Sequence, residues 1–275
     1  MSIIYFDICS IPLFLMILFV CYTRKMTKGS ANKLFILMVF LSLFSAMADL
    51  GMEIANNSVP LSEAGVILCN VSSYIYLVLR NSTNAALLLF LLALTRTTFL
   101  LRKKWAQIVF WLPYAFILVL LAINPINHSS FTVTAESGYA RAPMMYVFYA
   151  IALLYGLVGF VYCIYCRRYF TLNKWAALLS IYLLNYVAVF IQFLRPEILV
   201  EMFCTSLGEM AIMFSIMRPE ERMDAEAGML SWASYQYDLR NIIKSHEHVR
   251  IIVMRMPNCR EMRNYLGDHE YNRYL

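Results

Sequence analysis

Seven apolar runs, each long enough to cross a lipid bilayer as a helix, dominate the sequence as far as Met217. Because a helix rises about 1.5 Å per residue, about 20 apolar residues cover the roughly 30 Å of hydrocarbon in a membrane. With 61% hydrophobic and 15% charged residues, the chain has the composition of a polytopic membrane protein and not of a soluble domain. The seven runs are 5–22, 34–55, 66–94, 105–123, 144–166, 175–194 and 198–217.

These runs predict the fold class and the division of the chain. We expect an all-α membrane protein in which residues 1–217 form a seven-helix transmembrane domain and residues 218–275 form a cytosolic linker and a second domain. The first run ends in Thr23-Arg24-Lys25 and not in small residues, which favours a retained helix over a cleaved signal peptide. The third run is longer than an upright span needs, so we expect it to tilt or protrude.

Lysine and arginine residues in the short breaks predict the orientation of the bundle, because basic residues in short loops stay on the cytoplasmic side. Eleven follow the first, third and fifth runs, against only Arg141 and Arg195 on the other side. We therefore expect an N-out, C-in topology. The basic loops that set this topology, and that attract anionic lipid headgroups, then explain the formal net charge of +6 without a nucleic-acid partner. The eleven are Arg24, Lys25, Lys28, Lys33, Arg96, Arg102, Lys103, Lys104, Arg167, Arg168 and Lys174.

Ionisable side chains also occur inside the runs, where they are costly and usually face a partner or a wet cavity. Counted from the cytoplasmic ends, Asp49 and Arg80 both lie roughly 22–24 Å from the inner face, so we expect them to form an ion pair. Glu53 lies one turn further out on the Asp49 face, and Glu201 of the seventh run has a comparable height. Asn84 and further asparagines add amide groups to the same bundle, and such groups can bind a polar ligand or a neighbouring helix.

Three interpretations of these polar residues remain open. They form an interhelical network that fixes packing, or the outer halves of the second, third and seventh helices line a pocket for a small ligand. In the third interpretation they belong to a transport or proton path, with Glu209 as a relay about 13 Å from the inner face. The absence of an inverted repeat in the sequence argues against transport. The candidate ligand-binding residues are Asp49, Glu53, Arg80, Asn84 and Glu201.

The longest external loop, 124–143, has an alternation of apolar residues at Phe131, Val133 and Ala135. This alternation predicts a hairpin arm that lies over the bundle. The sequence leaves open whether such an arm covers a pocket or is a solvated loop.

No pattern within the seven runs indicates catalysis, a metal site or a cofactor. Cys163 and Cys166 have C-x-x-C spacing, but no second pair and no histidines accompany them. We interpret them as packing residues and expect neither a metal nor a cofactor.

The tail after Met217 mixes charged, amide and apolar residues as a soluble domain does. Tyr235, Leu239 and Ile242 recur at helical spacing, residues 249–256 form an apolar run of strand length, and residues 258–266 have a helical pattern. Helix, strand, helix is the opening of an α/β domain. About fifty residues do not bury a sufficient core for such a domain by themselves.

Two stretches of the tail resemble GGDEF (diguanylate cyclase) domains. Residues 224–231, DAEAGMLS, resemble the D-x-L-T-G-L-x-N entry motif of that family. The segment IIVMRMPNCREMRNYLGDHE is similar to its first strand and following helix, L-L-x-D-x-D-x-F-K-x-I-N-D-x-x-G-H, with matches at Asn258, Arg260, Met262 and Gly267. The resemblance covers about the last fifty residues, roughly the first third of such a domain, and implies a partial α/β GGDEF-like segment.

The departures from the family imply that this segment is not a working cyclase. The family holds divalent metal with aspartates at the end of the first strand, where this chain has Arg255 and Pro257. Arg263-Asn264 replaces the nucleotide-contacting Asn-Asp pair, and the GGDEF signature itself is not reached. We therefore expect no catalytic residues. In the family such domains often stand between a membrane sensor and an EAL phosphodiesterase domain, and we expect a continuation of that kind.

The runs and the resemblance together predict a sensory module of a cyclic-di-GMP signalling protein in a bacterial cytoplasmic membrane. A stimulus would shift the seventh helix and pass through Glu209, Arg218 and Asp224 to a GGDEF/EAL-type output in the cytoplasm. The expected partners are the lipid bilayer, a small extracytoplasmic or intramembrane ligand and a second copy of the chain in a homodimer. The alternative function is a small-molecule transporter or channel-like protein.

Overall fold

A computed structural model describes residues 5–24, 30–57, 60–95, 97–195 and 198–217, with the single residues Tyr235, Gln236, Leu239, Arg250 and Tyr265. The chain divides into two compact units, Met1–Met217 and Arg218–Leu275. Arg218, Asp224 and the GGDEF-like stretches lie outside the described residues, so the predictions that concern them stay predictions.

The described part of the first unit is mostly helical, as an all-α membrane protein requires. Each apolar run overlaps one α-helix, with bounds that differ from the predicted ones by up to four residues. The helices are α1 Tyr5–Thr23, α2 Ser30–Asn56, α3 Glu63–Leu94, α4 Lys104–Asn127, α5 Met145–Tyr165, α6 Leu172–Leu194 and α7 Glu201–Ser215.

Helices α1 to α6 are long and apolar enough to cross a membrane. Helix α7 has 15 residues, which correspond to about 22 Å and fall short of the hydrocarbon thickness. It begins at Glu201, three residues after the start of the predicted run. Pro196 lacks an N–H group and disfavours helical backbone at the residue before it, so α6 ends at Leu194 and a break separates the two helices. A seventh span therefore stays a prediction.

Small residues let neighbouring helices approach closely, as is usual in membrane bundles. Gly208 of α7 lies against Ile181 of α6, where a Cβ atom on the glycine would stand 2.6 Å from Cγ1 of Ile181. Gly159 of α5 lies in the same way against the ring of Tyr182 of α6. These contacts fix the spacing of α5, α6 and α7.

The predicted hairpin arm is present and is docked on the helices. Strands β1 (Phe131–Thr134) and β2 (Gly138–Arg141) pair in antiparallel register. Asn124 at the end of α4 accepts a hydrogen bond from the backbone N–H of Ser130 at 2.8 Å and donates one to the carbonyl of Phe131 at 3.2 Å. The buried ring of Phe131 packs against Tyr74 of α3. We call the end of the bundle that carries β1 and β2 the hairpin end.

Candidate functional site

A buried ion pair near the hairpin end joins α3 to the first turn of α7. Nε of Arg80 donates to Oε1 of Glu201 at 2.8 Å, and Nη2 of Arg80 lies 2.5 Å from Oε2. The two residues are 6% and 9% exposed. The guanidinium also lies over the rings of Tyr76 and Tyr149, at 5.6 and 5.2 Å from their centroids. A two-point contact of this kind fixes both distance and orientation between the helices.

The predicted Asp49–Arg80 ion pair is wrong. Asp49 is 2% exposed, and its Oδ1 has no hydrogen-bond partner, whereas Arg80 is bound to Glu201. Counting residues from the membrane face gives the height of a side chain but not the rotation of its helix. Asp49 and Glu201 have comparable heights, and the rotation of α3 directs Arg80 toward α7.

Further carboxyl groups lie close to this pair. Asp7 of α1 is fully buried, and neither of its carboxylate oxygens has a hydrogen-bond partner. Asp7 is near enough to Asp49, Glu53 and Glu201 for their charges to interact. The described part of the chain contains no group of three or more His, Cys, Asp or Glu side chains placed to hold a metal ion. Sequence reasoning missed Asp7, although a carboxylate near the start of an apolar run was a signal.

A polar cavity of about 60 Å³ lies between α2, α3, α5, α6 and α7. Three of the predicted ligand-binding residues line it, namely Arg80, Asn84 and Glu201, as does the predicted relay Glu209. Its volume is enough for a few water molecules or a small ion, but not for an organic ligand. The other polar side chains on its wall are Ser42, Thr83, Tyr149, Tyr155, Tyr182, Asn185, Tyr186 and Thr205.

Glu209 occupies the wall of the polar cavity on the α2 side. It is 0% exposed, and its Oε1 accepts a hydrogen bond from Oγ of Ser42 at 2.7 Å. Its Oε2 has no hydrogen-bond partner, and neither do the hydroxyls of Tyr182 and Tyr186. The residues on the wall of the cavity therefore include buried polar atoms without a hydrogen-bond partner in the described part of the protein.

A second, larger cavity of about 440 Å³, which we call the vestibule, lies at the hairpin end. Arg141, at the end of β2, forms part of its wall, and Tyr146, Tyr149 and Gln192 supply further polar atoms from α5 and α6. Its volume is within the range of small-molecule sites. Tyr149 and Val189 line both cavities, so the vestibule and the polar cavity adjoin at these two side chains. Neither cavity is lined by Asp49 or Glu53.

No family model, no curated protein and no solved structure matches the chain. The similarity of the tail to GGDEF domains therefore stays a prediction. Because a fold class alone does not determine a function, the functional argument depends on the ion pair and on the chemistry of the two cavities.

Proposed function

We propose that the chain is the membrane-embedded sensory module of a bacterial cyclic-di-GMP signalling protein. Seven spans in N-out, C-in orientation place the vestibule on the extracytoplasmic side, where a small ligand binds. The observation that supports the proposal most is the Arg80–Glu201 ion pair, because it connects the cavity wall to the first turn of α7. The tail follows α7 in the chain, so a movement of α7 is a direct route to the cytoplasm.

Tyr149 is the first step of this route. Its side chain lines the vestibule and the polar cavity, and its ring lies over the guanidinium of Arg80. A ligand that displaces the ring removes a cation–π contact and admits water to a buried ion pair. A ligand shifts a conformational equilibrium only through such a difference in interactions between two states.

The seventh span is part of this proposal. The run 198–217 contains only Glu201 and Glu209 as charged residues, and both are buried against other helices. A helix shorter than the hydrocarbon thickness is accommodated by local thinning of the bilayer at modest cost.

The resemblance of the tail supports the nature of the output. It is similar to the opening of a GGDEF domain, and Arg255 and Pro257 replace the metal-binding aspartates of that family. The tail then transmits the signal without catalysing a reaction, in a homodimer, to a GGDEF/EAL-type output.

A chimera tests the proposal. The chain up to Asp224 is joined to an active diguanylate cyclase domain that begins at its own entry motif, in cells without other cyclases. We expect Arg80→Gln and Tyr149→Ala to change the cellular cyclic-di-GMP level by about fivefold or more relative to the unmutated chimera. Glu136→Gln, a change at an exposed hairpin position, is the control and leaves the level unchanged. Equal levels in all variants, at equal protein amounts, contradict the proposal.

Transport is the second candidate function, and the adjoining cavities favour it. They extend from the hairpin end to Glu209, as the outer half of a permeation path would. Proteoliposome uptake of small amino acids and organic acids distinguishes the two functions. Uptake that depends on Glu209 supports transport, whereas the absence of uptake together with a response of the chimera supports the sensory module.

A further inference from the structure

The polar cavity has a feature that the sensory proposal does not use. Glu209 is fully buried in the middle of the bundle, yet only one of its two carboxylate oxygens is hydrogen bonded. The second oxygen, Oε2, belongs to a residue on the wall of a cavity of about 60 Å³. We propose that this cavity binds a small monovalent metal cation of the Na⁺ class, with Glu209 as its anionic ligand.

A positive charge at this site would stabilise the carboxylate of Glu209. A carboxylate held in low-dielectric surroundings is costly unless it is paired. Glu209 has no basic partner among the described residues, because the guanidinium of Arg80, which lines the same cavity, is bound to Glu201. A bound cation balances the carboxylate without a second protein charge.

The surroundings of Glu209 offer oxygen atoms, which are the ligands that hard cations prefer. Ser42 contributes a hydroxyl at hydrogen-bond distance from Glu209, and Thr205 lies one helical turn before it on α7. The hydroxyls of Tyr182 and Tyr186 are buried and have no hydrogen-bond partner. All of these residues line the cavity, where Ser42 supplies the neutral oxygen in contact with Glu209, whereas the hydroxyls of Tyr182 and Tyr186 lie against Gly159 and Gly156 of α5.

The charge and volume of the site select the class of cation. Ca²⁺ sites use several carboxylates, whereas no group of three acidic, His or Cys side chains suited to a metal occurs in the described residues. One carboxylate balances one positive charge. The cavity accepts a small ion with part of its hydration shell, but an organic cation such as N-methyl-D-glucamine is too large for about 60 Å³. A proton alone would neutralise Glu209 without any need for the space beside it.

The position of the site gives it a consequence for the bundle. Ser42 belongs to α2, and Thr205 and Glu209 belong to α7. A cation held by these residues ties α7 to α2 and stabilises one position of that helix. This inference goes beyond the sensory proposal, since it needs neither a vestibule ligand nor an output domain.

The test measures thermal unfolding of the full chain in lipid nanodiscs by tryptophan fluorescence. NaCl replaces N-methyl-D-glucamine chloride at constant ionic strength and pH. We expect a saturable rise of about 2–4 °C in the melting temperature of the unmutated chain. Glu136→Gln, the matched change at an exposed site, keeps this rise, and Glu209→Gln loses it. An equal rise in both variants, or no rise in the unmutated chain, overturns the proposal.

A second variant guards against the possibility that Glu209→Gln fails to fold. Ser42→Ala removes one neutral oxygen and keeps the carboxylate. We expect the Na⁺ concentration at half-saturation to increase by about tenfold in this variant. An unchanged half-saturation concentration overturns the proposal.

A pH series separates the cation from a proton. The titratable and charged groups around Glu209 are Cys21 of α1, Tyr155 of α5, Tyr182 and Tyr186 of α6, and the Arg80–Glu201 pair at the other end of the cavity. The Na⁺-dependent rise at pH 8 supports the cation. Stabilisation by acid in N-methyl-D-glucamine chloride, with no response to Na⁺ at pH 8, means that a proton alone neutralises the site, and this result overturns the proposal.

Discussion

Replacement of Glu201 by glutamine leaves the guanidinium of Arg80 buried without its carboxylate. The reciprocal change, Arg80→Gln, leaves the carboxylate of Glu201 buried without its arginine. Both residues are less than a tenth exposed, so solvent screens the remaining charge little. Because the ion pair connects α3 to α7, its contribution to stability can be measured with a double-mutant cycle.

The magnitude follows from the burial of the pair. Removing one partner of a buried ion pair typically costs about 3–5 kcal/mol. The rings of Tyr76 and Tyr149 still stabilise the arginine in Glu201→Gln by about 1 kcal/mol, which lowers the expected cost to about 2–4 kcal/mol. The double variant has no unpaired buried charge and should be no less stable than either single one. The coupling energy is therefore at least as large as the cost of the more destabilising single variant, about 3–5 kcal/mol.

The measurement is equilibrium unfolding by sodium dodecyl sulfate in mixed micelles. A second cycle with Arg80→Gln and Asp49→Asn gives the comparison, and Arg102→Gln, at an exposed position, is the control for loss of an arginine. We expect a coupling below about 1 kcal/mol between Arg80 and Asp49, which are near each other but not bonded. A larger coupling to Asp49 than to Glu201, or additive effects of Arg80→Gln and Glu201→Gln, would refute the pairing.

Three other features give predictions with independent measurements. Gly208→Ala places a Cβ atom against Ile181, so the free energy of unfolding in micelles should fall by about 1–3 kcal/mol. Gly65→Ala is the control, because a Cβ atom at that position makes only ordinary van der Waals contacts. Asn124→Ala leaves the N–H of Ser130 without its acceptor, and hydrogen exchange should increase in the hairpin but not in α6. Burial raises the pKa of Tyr139 above its ordinary value of 10.0, because the folded protein favours the neutral phenol. The stability that neutral Tyr139 contributes is therefore complete below about pH 10 and is lost at higher pH, as the phenol ionises. Between pH 8 and pH 11 the unmutated chain should therefore lose more thermal stability than Tyr139→Phe does.

The positions of the helices were predictable from the sequence because bilayer thickness sets a minimum length for an apolar run. The predicted third run, 66–94, is contained in α3, and the predicted fifth run, 144–166, differs from α5 by one residue at each end. The hairpin was predictable as well, since the alternation at Phe131 and Val133 places both side chains on one face, where they are at least partly buried.

The arrangement around the helix axes was not predictable from one sequence. Heights along the membrane normal placed Asp49, Arg80 and Glu201 at one level, but height does not determine which acid faces the arginine. The contact between Ser42 and Glu209 joins residues 167 positions apart, and a serine in an apolar run has no distinctive pattern. The polar cavity depends on the packing of five helices. Tyr149 therefore had no recognisable signal in the sequence.

Hydrogen exchange of α7 tests the central claim most directly, namely that the vestibule is coupled to α7 through Tyr149, Arg80 and Glu201. The comparison is between Tyr149→Ala and Tyr146→Ala in the full chain, because both residues line the vestibule but only Tyr149 lies over Arg80. We predict faster exchange in the first turns of α7 for Tyr149→Ala and no change there for Tyr146→Ala. Unchanged exchange of α7 in Tyr149→Ala, or an equal increase in both variants, would contradict the claim.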